Sequence, residues 1–176
     1  MACYSMVQTA TVLIILRLGL LEELLADNPW RLLLSTIMLN RTSRVQVDHV
    51  LFEFLQRWPT PQMVVSASTE VISGVVRSLG LGNKRAQGIQ RFSSDYLALS
   101  ETKSDPFSLS EEDVTGLHHC GAYAYDAYCI FIQRNIAVLP EDLVLASYVE
   151  YKLAVRGGNK ERRNFLTEYK DGSCCN

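Results

Sequence analysis

A carboxylate at the start of a predicted helix is the feature of this sequence with the most direct chemical use. Asp142 follows Pro140 and opens a predicted helix over 141–155. Such a residue usually caps its helix or interacts with the helix dipole. In a cleft, the same group can stabilise a developing positive charge or activate water. Glu141 is a competing candidate, because adjacent residues point in different directions, and the residues alone leave these readings open.

The segment Leu117–Tyr123 is a tight connection between two predicted helices and carries Gly121 at the entrance of the second. A turn of this kind exposes backbone N–H groups, and the following helix adds the positive end of its dipole. The segment could therefore bind a phosphate without a lysine, or it could be an ordinary corner between helices.

The loop Leu39–Arg44 follows a strongly apolar predicted helix. Thr42 or Ser43 is a natural N-cap for the helix that comes next. Arg41 and Arg44 are then either solvated charges or a pair directed at phosphates or bases.

A second loop, Leu79–Gly82, places Leu81 between two glycines, and Lys84 and Arg85 open the helix that follows. A single exposed leucine needs no explanation. An apolar tip beside cations is, however, also a device with which proteins probe a DNA base stack.

The elements that would position these residues are predicted to be helices throughout. Apolar residues recur with the i, i+3, i+4, i+7 spacing of one helical face, and strand signals are nearly absent. Proline at 29 and at 61 marks two helix starts. We therefore predict an all-α fold, a compact bundle of short helices. The predicted helices are 8–26, 29–39, 43–57, 61–67, 69–78, 83–98, 110–116, 122–134, 141–155 and 160–168.

Composition excludes several classes of protein. The 5 cysteines among 176 residues form no CxxC pair and no Cys/His ligand set, which predicts reduced intracellular thiols without a metal or iron–sulfur site. The apolar stretch Thr11–Leu25 contains Arg17 and two glutamates, which argues against a membrane span or signal peptide. A net charge of −2 and a pI near 5.9 do not indicate nucleic-acid binding, although positive charge can still be concentrated on one face of the protein.

A series of short motifs between residues 20 and 155 changes this interpretation. The most specific are LNRTS at Leu39–Ser43 and PED at Pro140–Asp142, and the others lie at 28–34, 36–38, 79–81, 84–86, 117–118, 121–123, 126–128 and 130–131. In this order they resemble the helix–hairpin–helix DNA glycosylase superfamily, particularly the mismatch-specific thymine/uracil glycosylase domain of methyl-CpG-binding-domain glycosylases. The resemblance implies a two-lobe helical fold over 20–169 with the active cleft between the lobes. Residues 1–19 are unmatched, and we expect 170–176 to be a disordered tail.

The resemblance also implies roles for individual residues. Asp142 stands at the position of the catalytic aspartate. Tyr123 stands where bifunctional relatives have a lysine nucleophile, and because tyrosine forms no Schiff base, a monofunctional enzyme is implied. Arg41 corresponds to an arginine that fills the space left by an extruded nucleotide. Leu81 corresponds to a leucine that wedges beside the orphaned guanine.

Three features depart from the superfamily pattern. His119 replaces the first of two hairpin glycines, of which Gly121 is the second, and a positive φ is harder for histidine than for glycine. Glu22 stands where a glutamine reads the pyrimidine edge, and ionised glutamate accepts hydrogen bonds without donating them. No methyl-CpG-binding domain is visible, so any CpG targeting is expected from the glycosylase domain itself. The predicted DNA or base contacts therefore include Glu22, His119 and Gly121, together with Lys84 and Arg85.

The resemblance leads us to expect a monofunctional DNA glycosylase that removes thymine or uracil opposite guanine during base-excision repair. It would act as a nuclear monomer without a cofactor, on double-stranded DNA with a mispaired or deaminated base. Because Glu22 departs from the superfamily pattern, a glycosylase of the same superfamily that acts on another modified pyrimidine, such as 5-hydroxymethyluracil, stays an alternative. The altered hairpin and acidic pI keep open a non-catalytic DNA-binding module, against which the joint presence of Asp142, Tyr123 and Arg41 argues.

Overall fold

The computed structural model describes residues 20–157, with side chains to residue 155, and this part of the chain is all-α, as predicted. No helix within it is long and apolar enough to cross a membrane. A 3₁₀ turn at Arg77–Leu79 follows α5, and a π-helical turn at Tyr128–Ile132 follows α8. The helices are α1 Leu21–Leu24, α2 Pro29–Leu39, α3 Arg44–Arg57, α4 Pro61–Ser66, α5 Thr69–Val76, α6 Gly82–Thr102, α7 Glu111–Thr115, α8 Ala122–Ala127 and α9 Leu143–Gly157.

Some predictions are not addressed by this part of the chain. The predicted helix 160–168, most of the predicted helix 8–26 and the tail 170–176 lie outside the described residues. The two-lobe arrangement stays a prediction. Cys120 and Cys129, the cysteines within the described range, are buried and form no disulfide.

Local hydrogen bonds fix helix starts where the sequence predicted them. The Asn28 side chain accepts from the Arg31 N–H at 3.1 Å at the start of α2. Thr60 Oγ1 accepts from the Met63 N–H at 3.4 Å at the start of α4. Ser43 is the N-cap of α3. Each of these bonds satisfies a backbone donor that a helix start otherwise leaves unpaired.

Several helix bounds differ from the prediction. Helix α6 continues past residue 98, because the hydroxyls of Ser100 and Thr102 donate to backbone carbonyls one turn earlier and so tolerate the helical interior. The predicted helix 122–134 is divided between α8 and the π-helical turn. Helix α9 begins at Leu143 rather than 141, since Asp142 acts as its cap.

The core brings together helices that are distant in sequence. Helix α6 packs against α4 and α5. Trp30 is buried and its Nε1 donates to Ser93 Oγ at 3.3 Å, which ties α2 to α6. The buried Tyr128 hydroxyl donates to the Pro106 carbonyl at 2.8 Å and accepts from the Leu109 N–H at 3.0 Å. The polar atoms of both aromatic residues are therefore satisfied within the core.

The short helix α1 is held against α9 by polar contacts. Glu23 Oε1 accepts from the Tyr148 hydroxyl at 2.8 Å and from Lys152 Nζ at 3.0 Å. On the other side, Leu21 is fully buried in the core. These contacts fix the orientation of Glu22, which lies between Leu21 and Glu23.

Candidate active site

Two adjoining cavities contain every site residue that the sequence predicted. The larger has a volume of about 760 Å³ and lies between α1, the end of α2, the hairpin segment Leu117–Tyr123 and the start of α9. The smaller has a volume of about 310 Å³ and lies beside the loop that precedes α6. Asn40 and His119 line both cavities. Of the predicted residues, the larger cavity is lined by Glu22, His119, Gly121, Tyr123 and Asp142, and the smaller by Arg41, Leu81, Lys84, Arg85 and His119.

Asp142 is both a helix cap and part of the larger cavity. Its Oδ1 accepts from the N–H groups of Val144 and Leu145 at 2.9 and 3.0 Å. The side chain is half-buried and lines the cavity at the positive end of the α9 dipole. The carboxylate is thereby held in one orientation, which a group that must face a reacting atom requires. Glu141 is exposed and lines the same cavity.

Tyr123 and Glu22 form a hydrogen-bonded pair in the larger cavity. The Tyr123 hydroxyl donates to Glu22 Oε1 at 2.6 Å, and the Glu22 side chain is only 3% exposed. Burial raises the pKa of Glu22 most strongly, the Tyr123 hydrogen bond and the charge of Arg44 act in the opposite direction, and Asp142 raises it further. Burial and the neighbouring Glu22 raise the pKa of Tyr123 far above its ordinary value, so its hydroxyl stays a donor.

Sequence reasoning missed Asp126, a further carboxyl in this cavity. Burial and the negative charges of Glu141, Glu111 and Asp142 raise the pKa of Asp126 to about 6. Its position three residues after Tyr123 places it on the same helical face, which was the available signal. Within residues 20–157, no group of three or more His, Cys, Asp or Glu side chains is arranged to hold a metal ion.

Three predicted DNA contacts have a left-handed backbone. Arg41, Leu81 and His119 have φ values of 57°, 53° and 66°. Non-glycine residues adopt such values at a cost of roughly 1–3 kcal/mol and do so preferentially at functional sites. Leu81 is also 70% exposed, although it is a large apolar residue. The fold thus holds Arg41 and Leu81 in strained loop positions beside the smaller cavity.

Arg85 ties these two loops together. Its Nη1 donates to the Ile37 and Met38 carbonyls at 2.9 and 3.3 Å, in the last turn of α2. Its Nη2 donates to the Leu79 carbonyl at 3.1 Å and to Thr42 Oγ1 at 3.2 Å. The guanidinium therefore caps α2 and links the Arg41 loop to the Leu81 loop, a positioning role that the sequence did not predict.

The hairpin histidine fits against a glycine of α6. A Cβ atom at Gly88 would lie 2.5 Å from His119 Cδ2 and 2.6 Å from its Nε2. Partial burial and the charges of His118 and Arg85 lower the pKa of His119, which favours the neutral imidazole. Only glycine at position 88 therefore leaves the His119 ring in its observed place.

We predict that Gly88→Ala displaces the His119 ring without unfolding the protein. The clash involves the end of a side chain, and alanine is favoured over glycine in a helix by roughly 0.5–1 kcal/mol, so stability should stay within about 1 kcal/mol of wild type. Affinity for duplex DNA should fall about fivefold, the equivalent of one hydrogen bond. Fluorescence anisotropy and thermal unfolding measure the two effects.

Gly74→Ala in α5 is the matched control, because nothing lies within 4 Å of a Cβ at that position. It should keep the duplex affinity of wild type. If both alanine variants bind DNA as wild type does, the His119 contact is wrong.

The chain is similar in sequence to several known proteins. The chain is 35% identical over 134 residues, 76% of its length, to "Methyl-CpG-binding domain protein 4-like protein" of Arabidopsis thaliana, of which it covers 28%. This relative supports the resemblance of the chain to the helix–hairpin–helix DNA glycosylase superfamily. The chain is also 33% identical to a thymine/uracil-DNA glycosylase of Pyrobaculum aerophilum over 72 residues. These residues make up 41% of this chain and 31% of the relative. No family model matches the chain.

A further relative is the thymine-DNA glycosylase of Aeropyrum pernix, 35% identical over 60 residues, or 34% of this chain and 27% of the relative. The chain thus spans less than a third of the length of each of these relatives.

Proposed function

We propose that this chain is a monofunctional DNA glycosylase that hydrolyses the N-glycosidic bond of thymine or uracil paired with guanine. The observation that carries the proposal is the gathering of Asp142, Tyr123 and Glu22 in one cavity, beside a second cavity with Arg41 and Leu81. The names of the two archaeal relatives, a thymine/uracil-DNA and a thymine-DNA glycosylase, support a pyrimidine substrate.

A base within a duplex must leave the stack before its glycosidic bond is accessible. Extrusion costs a few kcal/mol, and least for a mispaired base. The exposed Leu81 side chain, with Arg41 beside the same cavity, would enter the vacated space and offset this cost. The larger cavity, at about 760 Å³, falls in the size range of small-ligand sites and would receive the extruded nucleoside.

The residues of the larger cavity suit hydrolysis of a C–N bond. As the bond from C1′ to the base breaks, its electron pair leaves with the base and positive charge develops on the sugar. The Asp142 carboxylate would stabilise that charge and accept a proton from the water whose oxygen bonds to C1′. Tyr123 forms no Schiff base with C1′, so the strand would stay intact after the base has left.

Glu22 supports a second candidate substrate. A glutamate in this cavity, at the position where the superfamily resemblance implies a glutamine, favours a different modified pyrimidine such as 5-hydroxymethyluracil if it is ionised. A role in base-excision repair, a nuclear location and action as a monomer on double-stranded DNA belong to the same proposal.

Four labelled duplexes test the proposal, carrying G·T, G·U, G·5-hydroxymethyluracil and A·T pairs. Strand breaks that form with G·T or G·U only after alkali are the expected result. Breaks confined to 5-hydroxymethyluracil would favour the second substrate, and breaks without alkali would contradict the role of Tyr123. Binding without excision of any base would identify a non-catalytic DNA-binding module.

A further inference from the structure

Glu22 is a buried carboxyl group that nevertheless lines the larger cavity. Its side chain is 3% exposed, and one of its oxygens receives the Tyr123 hydrogen bond. A carboxyl buried to this degree is far easier to accommodate as the neutral acid than as the anion. A second carboxyl, Asp142, lines the same cavity and disfavours a second negative charge.

The charged groups around Glu22 come from several elements. Arg44 of α3 favours its ionised form, and so does the hydrogen bond from Tyr123 of α8. Asp142, at the start of α9, favours the neutral form, as does burial, which is the largest of these effects. Three further titratable residues line the cavity, namely His119, Asp126 and Glu141.

We propose that Glu22 enters the reaction as a neutral carboxylic acid that pairs with the extruded pyrimidine. Its O–H donates to a ring carbonyl of the base, and its C=O accepts from the ring N3–H. This inference rests on the proposed function, since it needs a thymine or uracil in the cavity. It assigns base recognition to the protonated carboxyl group, which the sequence alone gave no reason to expect.

The hydrogen-bonding groups of the base match the neutral acid and not the anion. Thymine and uracil present an N3–H donor between two carbonyl acceptors. A carboxylic acid offers one donor and one acceptor side by side, as a glutamine does, whereas a carboxylate would set its second oxygen against a ring carbonyl. Neutral Glu22 therefore restores a glutamine-like pair and removes the reason to require an unusual base.

The pairing also contributes to the chemical step. When the glycosidic bond breaks, the departing base gains negative charge on its ring and carbonyl oxygens. The O–H group of Glu22 binds a carbonyl oxygen more strongly as that charge develops, so it lowers the barrier. Two of the carboxyl groups of the cavity then have different roles, Glu22 as a hydrogen-bond donor to the base and Asp142, whose Oδ1 accepts from two backbone N–H groups, as the group that faces the sugar.

The pH dependence of excision tests the proposal. Glu22→Gln keeps a donor and an acceptor at every pH, and its amide oxygen can still accept from Tyr123. Over the pH range in which Glu22 titrates, above the ordinary pKa of a glutamate, we expect the single-turnover rate of wild type on a G·U duplex to fall by about tenfold per pH unit. The Glu22→Gln rate should stay level over that range. Asp126→Asn should keep the wild-type decline, which assigns the decline to Glu22 rather than to Asp126.

Two outcomes would overturn the inference while leaving the proposed function standing. One is an active Glu22→Gln enzyme with the same alkaline decline as wild type. The other is a Glu22→Gln enzyme without excision at any pH, which would mean that a donor and an acceptor at this position are not sufficient. A wild-type protein that excises nothing would instead overturn the proposed function.

Thermal unfolding tests the protonation of Glu22 without any substrate. Because its pKa is raised in the folded protein, the folded chain keeps a proton that the unfolded chain releases, so this group lowers stability as pH rises from the ordinary pKa through the raised one. The Tm of Glu22→Gln minus that of wild type should therefore increase as pH rises above the ordinary pKa of a glutamate. Glu53→Gln, at an exposed residue of α3, is the control for the glutamate-to-glutamine substitution as such. A pH-independent difference for Glu22→Gln would refute the neutral acid.

Discussion

Replacing Asp142 with asparagine is expected to lower the single-turnover excision rate by about 10²–10⁴-fold, the range for loss of a charge-stabilising or proton-accepting group. Asparagine has the same shape and is as good an N-cap as aspartate. Its side-chain oxygen can still accept from the Val144 and Leu145 N–H groups that Asp142 contacts. Unfolding free energy should therefore change by less than about 0.5 kcal/mol.

DNA binding separates catalysis from recognition in this variant. The affinity of Asp142→Asn for a G·U duplex should equal or exceed that of wild type, because a negative charge near the phosphates is removed. Asp142→Ala is a poorer test, since it also removes the cap of α9 and about 1 kcal/mol of stability. If Glu141→Gln loses excision and Asp142→Asn keeps it, the catalytic role belongs to Glu141.

Replacing Arg85 with lysine is expected to lower both the stability of the fold and the rate of excision. Lysine keeps the charge but not the planar fork that reaches the Ile37 and Leu79 carbonyls at 2.9 and 3.1 Å. We expect a loss of about 2–3 kcal/mol of stability, which lowers the Tm by roughly 4–12 °C. Excision should fall by at least about tenfold, because the loops of Arg41 and Leu81 lose their fixed spacing.

The neighbouring Lys84 provides the matched control. Lys84 is exposed beside the smaller cavity, and Lys84→Ala should leave the Tm nearly unchanged. It should instead reduce the dependence of duplex affinity on salt by the equivalent of about one phosphate contact. An Arg85→Lys protein with the stability and the excision rate of wild type would show that Arg85 acts as a simple charge and not as a link between loops.

The sequence predicted the helices because their signals are local. Two helix starts are marked by a capping residue before a proline, Asn28 before Pro29 and Thr60 before Pro61. Each capping side chain accepts a hydrogen bond from the backbone N–H three residues later. Asp142 was recognisable as a cap for the same reason. The end of α6 was placed too early, because Ser100 and Thr102 return their hydroxyls to the backbone and a polar composition does not reveal this.

The contacts that define the candidate site are long-range, and periodicity contains no information about them. The hydrogen bond from Tyr123 to Glu22 joins residues 101 positions apart. The Arg85 contact to Ile37 spans 48 positions, and only the packing of α2 beside α6 creates it. Motif order pointed to residues that line the two cavities, whereas the burial of Glu22 and the bracing role of Arg85 required the folded chain.

The most direct test of the account is the release of free base from a G·U or G·T duplex, quantified by mass spectrometry, with strand length measured before alkali. We expect wild type to release uracil or thymine and leave the strand intact, and Asp142→Asn to release about 10²–10⁴-fold less in the same time. Binding without base release, or base release together with a broken strand, would contradict the assignment of Asp142 and Tyr123.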